Sequence, residues 1–159
     1  VNLMKSITYG DVDITKIRTI IESRIHHNES LTITVGTDSQ SFANYTKLVN
    51  VIVVRINNRG GFFFYDCEYV SLIKSLHDKL VTETLKSIET AYALLMELKK
   101  SNMEIIREQK ITIHSDIGVN GPTNKLINEI VGWITASGFD CEIKPQSFAA
   151  SSVANKLSK

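Results

Sequence analysis

The chain has 159 residues, 43% of them hydrophobic and 22% charged, which suits one compact domain over residues 1–159 with enough apolar surface to bury a core. Its formal net charge of +1 excludes the strongly basic character with which some domains grip phosphate backbones non-specifically, so any contact with nucleic acid is expected to be local. No apolar run approaches the roughly 20 residues that cross a bilayer, the N-terminus lacks a secretory pattern, and Cys67 and Cys141 are isolated, so the expectation is a soluble, cytoplasmic protein with two buried or half-buried thiols and no membrane partner.

From Asp13 to about His27, Ile14, Ile17, Ile21 and Ile25 recur at spacings of three and four and predict a helix, within an N-terminal extension of about residues 10–30, that Asp11 or Asp13 caps. Leu31 to Val35 alternates polar and β-branched residues, and Leu48 to Ile56 is rich in Val and Ile; both predict strands. Asn57 to Gly61 supplies turn residues and Phe62 to Glu68 an aromatic strand, giving a hairpin and three antiparallel strands in all. No Gly or Pro interrupts Leu76 to Lys100, whose periodicity predicts the longest helix.

Lys110 to His114 predicts a short strand, followed by a Gly-rich turn and a helix from Pro122 to about Ser137 that Gly138 stops. Cys141 to Lys144 predicts a fifth strand, and Ser147 caps a last helix carrying Val153, Ala154 and Leu157. A three-stranded meander followed by two crossover units implies an α/β domain with a mixed five-stranded sheet, helices covering both faces.

Carboxylates at strand ends are the chemically suggestive feature. Asp38 is predicted to end the first strand in Thr34-Val-Gly-Thr-Asp-Ser-Gln40, flanked by small residues that leave room for a ligand, and Asp116 to follow the fourth in Ile111-Thr-Ile-His-Ser-Asp-Ile-Gly118. Taken singly, each is also ordinary turn chemistry, because Asp bonds its own backbone in turns and caps. Glu83 falls early in the long helix, where most glutamates are solvated. Jointly, the three are what metal-dependent phosphodiester cleavage requires, since hard cations need several anionic oxygens in one place.

That order of elements, with Asp38, Glu83 and Asp116 at those places, resembles the ribonuclease H-like superfamily. More narrowly, Val35-Gly-Thr-Asp-Ser-Gln40, His114-Ser-Asp-Ile-Gly118, Gly132-Trp133 and Ile143-Lys-Pro145 followed by Phe148-Ala-Ala-Ser-Ser-Val-Ala154 resemble a YkuK-type family of bacterial and phage proteins, over about residues 10–159. The resemblance implies a three-layer ribonuclease H-like domain, catalytic Asp38, Glu83 and Asp116, and two Mg2+ or Mn2+ ions held by a carboxylate cluster that cleaves nucleic acid. It also implies a fourth carboxylate in the last helix, where this chain has Asn155, a neutral amide with one carbonyl oxygen to offer a metal.

Further polar residues are candidates for substrate contact. Ser39, Gln40 and Asn120 neighbour the carboxylates; His114 precedes Asp116 by two, on the same face of an extended strand; Lys144 ends the fifth strand. Each has a plain structural alternative, as a packed histidine, a solvated lysine or a turn residue. The segment Gly118 to Lys125 reads as a turn and helix start, without nucleotide-loop spacing, and Trp133 and Phe62 to Phe64 read as core or sheet face. Three functions remain open: a Mg2+- or Mn2+-dependent nuclease acting on RNA, an RNA/DNA hybrid or structured DNA; a catalytically inactive nucleic-acid-binding or protein-interaction module; and a scaffold subunit of a nucleic-acid-processing complex.

Overall fold

The computed structural model describes residues 3–57, 59–118, 124–144, 153, 154 and 157, the side chains of Asn124 and Lys144 excepted. Its elements in chain order are β1 (Met4–Ser6), β2 (Gly10–Val12), α1 (Ile14–Arg24), β3 (Leu31–Ser41), β4 (Tyr45–Ile56), β5 (Gly60–Ser71), α2 (Leu76–Leu98), α3 (Glu104–Arg107), β6 (Ile111–Gly118), α4 (Ile127–Ala136) and β7 (Asp140–Lys144). A 3-10 turn, Asn124–Leu126, leads into α4. The architecture is α/β with one mixed sheet, in the order β2-β1-β5-β4-β3-β6-β7. β3, β6 and β7 run parallel; the remaining neighbours are antiparallel.

The sheet has seven strands, not the five expected. The two additions, β1 and β2, form a hairpin with Gly10 at φ +72°, joined to β5 by the pair Lys5 with Tyr65. Three residues are too few for a period-two pattern to register, which is why periodicity passes over them. The four-residue α3 was missed for the same reason. β3 and β6 also extend beyond their expected ends, so Asp38 and Asp116 lie within strands rather than at their termini. Ladder bonds use backbone groups alone, so β3 continues through Thr37 to Ser41 although its apolar pattern stops at Val35.

The large core lies on one face. Ile33, Val35, Ile52, Val54 and Phe64 meet Ile17, Ile20 and Ile21 of α1, Leu80, Ala91 and Leu94 of α2, and Ile130 and Ile134 of α4. Each such side chain contributes about 1.5–3 kcal/mol when taken from water. On the opposite face Val49 and Val51 pack with the helical residues Val153, Ala154 and Leu157. Both faces are thus covered, as a mixed sheet with crossover helices requires.

Local chemistry sets the borders that matter to the site. Asp13 caps α1 by accepting from the Lys16 N–H at 2.7 Å, and Ser75 caps α2 by accepting from Asp78 at 3.0 Å. Gly138, at φ +96°, closes α4. Among the described residues no helix is long and apolar enough to cross a membrane.

Candidate active site

α2 carries polar groups where its spacing would otherwise place core. Glu83, Ser87 and Thr90 follow one another at intervals of four and three and lie on the face turned to the sheet. Ser87 and Thr37 share a hydroxyl hydrogen bond of 2.7 Å. The Asn50 amide donates to Thr37 Oγ1 at 2.9 Å and to the Gly36 carbonyl at 3.3 Å, while Thr90 donates to Asn50 Oδ1 at 2.7 Å. Thr37, Asn50, Ser87 and Thr90 are all buried, so this network fixes α2 against β3 and β4 with its polar groups satisfied.

The next contact along the helix is the Ser39 hydroxyl, which donates to Glu83 Oε2 at 2.5 Å. Thr37 and Ser39 therefore both face α2, and Asp38 between them points to the other side of the sheet. On β6, Ile113 and Ile117 belong to the core under α2, which by the same alternation sends His114 and Asp116 to the side of Asp38. The last registered pair of β3 and β6 is Gly36 with His114, two residues before Asp38 and Asp116. The β6–β7 ladder loses its register between His114 and Gly118 as well. Both aspartates thus stand at matching positions on neighbouring parallel strands, just where the ladder opens.

Glu83 senses both. Its carboxyl is pushed up to about 8, first by burial and then by the negative charges of Asp38 and Asp116; the Ser39 hydroxyl and backbone N–H pull the other way. The side chain as a whole is half-buried, but its acid end sits in a narrow pocket with Thr37, Ser87, Ser115 and Asp116 in the walls. Among the described residues no three His, Cys, Asp or Glu side chains stand close enough together to hold one metal ion. The donor chemistry nevertheless suits a hard cation: the three groups are all oxygen ligands, and their mutual repulsion is what a positive charge would relieve.

The remaining expected contacts distribute unevenly. Gln40 follows Asp38 on the same face of β3, half-buried. Ser39, expected to touch substrate, donates its hydroxyl to Glu83. His114 is buried, and its Nε2 lies 3.1 Å from Glu142 Oε2 on β7; burial lowers the imidazole below the usual histidine range against the opposing pull of Glu142. The Lys144 backbone, at the end of β7, pairs with Gly118 of β6. Asn120 and Asn155 lie outside the described residues, as do Ser147 and most of the Gly-rich turn. The polar network around Asn50 was not anticipated, although the interval from Glu83 through Ser87 to Thr90 was open to view.

A family model described as ribonuclease H-like matches residues 14–159 of the chain. The uncharacterized protein YkuK of Bacillus subtilis (strain 168) is 33% identical over 138 residues, a match that covers 82% of this chain and 80% of YkuK.

Proposed function

Because the chain belongs to the ribonuclease H-like family, we propose that it is a nuclease that hydrolyses phosphodiester bonds in RNA, an RNA/DNA hybrid or structured DNA. The observation that carries this reading is the buried Glu83 carboxyl, raised to about 8 and flanked by the charges of Asp38 and Asp116. Uncompensated, such a group costs stability, and perturbed acids of this kind cluster at functional sites. Asp38, Glu83 and Asp116 would hold Mg2+ or Mn2+, with the Asn155 amide in the place of a fourth carboxylate. When bound, the metal would supply positive charge to the phosphate and to the oxygens that attack and depart.

The chain's own groups do the positioning. Ser39 holds the Glu83 carboxylate by hydroxyl and backbone, and the Thr37–Ser87 bond fixes the next turn of α2. Gln40, on the face of Asp38, would meet substrate, with Asn120, His114 and Lys144 as further contacts suggested by sequence. A second reading, a module that binds nucleic acid or protein without cutting, draws support from one observation: among the described residues no three His, Cys, Asp or Glu side chains stand close enough together to hold one ion.

The two readings separate in one assay. Labelled single-stranded RNA, hybrid, duplex DNA and branched DNA are incubated with the protein in manganese, beside the Asp38→Asn, Asp116→Asn double variant. Cleavage by the wild type that the variant loses by at least about a hundredfold supports the nuclease. Absence of cleavage on every substrate, with binding retained, replaces it with the non-cutting module.

A further inference from the structure

β3 does not stop at Asp38 but runs to Ser41, and the residue that follows it, Phe42, is aromatic. Phe42 N–H donates to the Tyr45 carbonyl at 2.8 Å, so the β3–β4 hairpin reverses tightly over Ala43 and Asn44. Asp38 pairs with Val49 and Gln40 with Lys47, and Lys47 pairs in turn with Tyr69 of β5. Since alternate residues share a face, Asp38 and Gln40 project on one side of β3 with Lys47, Tyr45 and Tyr69 beside them, and Phe42, just past the strand's end, joins them through Tyr45.

The three rings touch. Phe42 and Tyr45 are stacked with centroids 5.0 Å apart and planes at 24°, and Tyr69 meets Tyr45 edge-on at 5.7 Å. They are not core residues: Phe42 is 42% exposed, Tyr45 40% and Tyr69 64%, and neither apolar cluster includes them. Cross-strand aromatic pairing stabilises a hairpin tip, but it does not require Tyr69, whose ring is the most exposed of the three.

We propose that Phe42, Tyr45 and Tyr69 form a stacking platform for the unpaired bases of a single-stranded nucleic acid whose backbone passes Asp38. The proposal rests on the nuclease reading only for the identity of the neighbouring carboxylates; base stacking itself needs no cleavage. From Asp38 to Phe42 is four strand residues, roughly 13 Å. A stacked strand rising about 3.4 Å per nucleotide covers that distance in about four nucleotides. A net charge of only +1 leaves little affinity to general electrostatics, whereas aromatic faces bind any base regardless of sequence. Lys47 lies between the rings and the carboxylates, its ammonium bonded to the Leu157 carbonyl at 2.8 Å, and brings a positive charge to the path of the phosphates.

The test measures binding by fluorescence anisotropy in EDTA, where metal-dependent cleavage is silent. The ligands are short single-stranded RNA, single-stranded DNA, an abasic strand of equal length, and a blunt duplex, offered to the wild type, Tyr69→Ala and Tyr69→Phe. Base-bearing single strands are expected to bind more tightly than the abasic strand and the duplex; Tyr69→Ala weakens them roughly fivefold to a hundredfold, and Tyr69→Phe retains them. Melting curves of the variants confirm that the fold is intact. Equal binding of abasic and base-bearing strands overturns the platform, as does indifference to Tyr69→Ala. Cleavage of duplex substrates without single-strand binding removes the platform and leaves the nuclease, while single-strand binding without cleavage does the reverse. Self-association lost in Tyr69→Ala, together with no strand binding, makes the rings a protein contact and also overturns the proposal.

Discussion

Glu83 is the residue whose ionisation is most expensive in this fold. Its carboxyl is raised from the ordinary glutamate value of 4.5 to about 8, so between those values the folded chain holds a proton that the unfolded chain has released. Stability from this group is therefore fully present below pH 4.5 and is lost as pH rises through about 8. Because the acid end is desolvated, the effect is on the order of a few kcal/mol. In EDTA, the wild type is expected to lose stability relative to Glu83→Gln across that window, as read from urea midpoints at mildly acidic, neutral and mildly alkaline pH. Parallel pH curves for the two proteins would show that Glu83 ionises without penalty. Saturating manganese should close the gap at alkaline pH, since an ion bound only to the folded state stabilises it by linkage.

At the scale of elements, the position of Glu83 depends on how α2 sits on the sheet, and Asn50 decides that. Its amide bridges Gly36 and Thr37 of β3, and its carbonyl accepts from Thr90 about two helical turns beyond Glu83. Asn50→Ala leaves the buried Thr90 hydroxyl and Gly36 carbonyl without this partner, at a cost of about 2–3 kcal/mol. The expected result is a lower melting temperature and, where cleavage is measured, a loss of rate that Asn50→Asp does not restore. The elements themselves were largely legible. The isoleucine spacing of α1 and the uninterrupted run of α2 gave helices at Ile14–Arg24 and Leu76–Leu98, and Gly138 marked the end of α4. The order of Asp38, Glu83 and Asp116 along strand, helix and strand was legible too. What sequence left hidden was tertiary: Ser39 looks like a free neighbour of Asp38 until α2 brings Glu83 against it. The same holds for Thr37, Ser87 and Thr90, whose partners are 50, 50 and 40 residues away.

For the molecule as a whole, charge and shape divide the work of recognition differently from a basic nucleic-acid-binding domain. Eighteen Lys and Arg residues against 17 Asp and Glu leave +1, and the negative charges of Asp38 and Asp116 beside Glu83 repel phosphate unless a cation intervenes. On the proposed reading, affinity for a strand would come from bound metal, from the exposed rings of Phe42, Tyr45 and Tyr69, and from few direct cation–phosphate pairs. Each such pair releases counterions and adds about 0.7 to the salt slope on a single strand. With two or three pairs, a plot of log affinity against log salt should fall with a slope of about −1 to −2, much shallower than for a protein that tracks the backbone with six or more. Anisotropy titrations of a single-stranded oligonucleotide from low to moderate salt measure it directly. A slope steeper than about −4 would mean that a basic track carries the binding and that neither the carboxylates nor the rings dominate recognition.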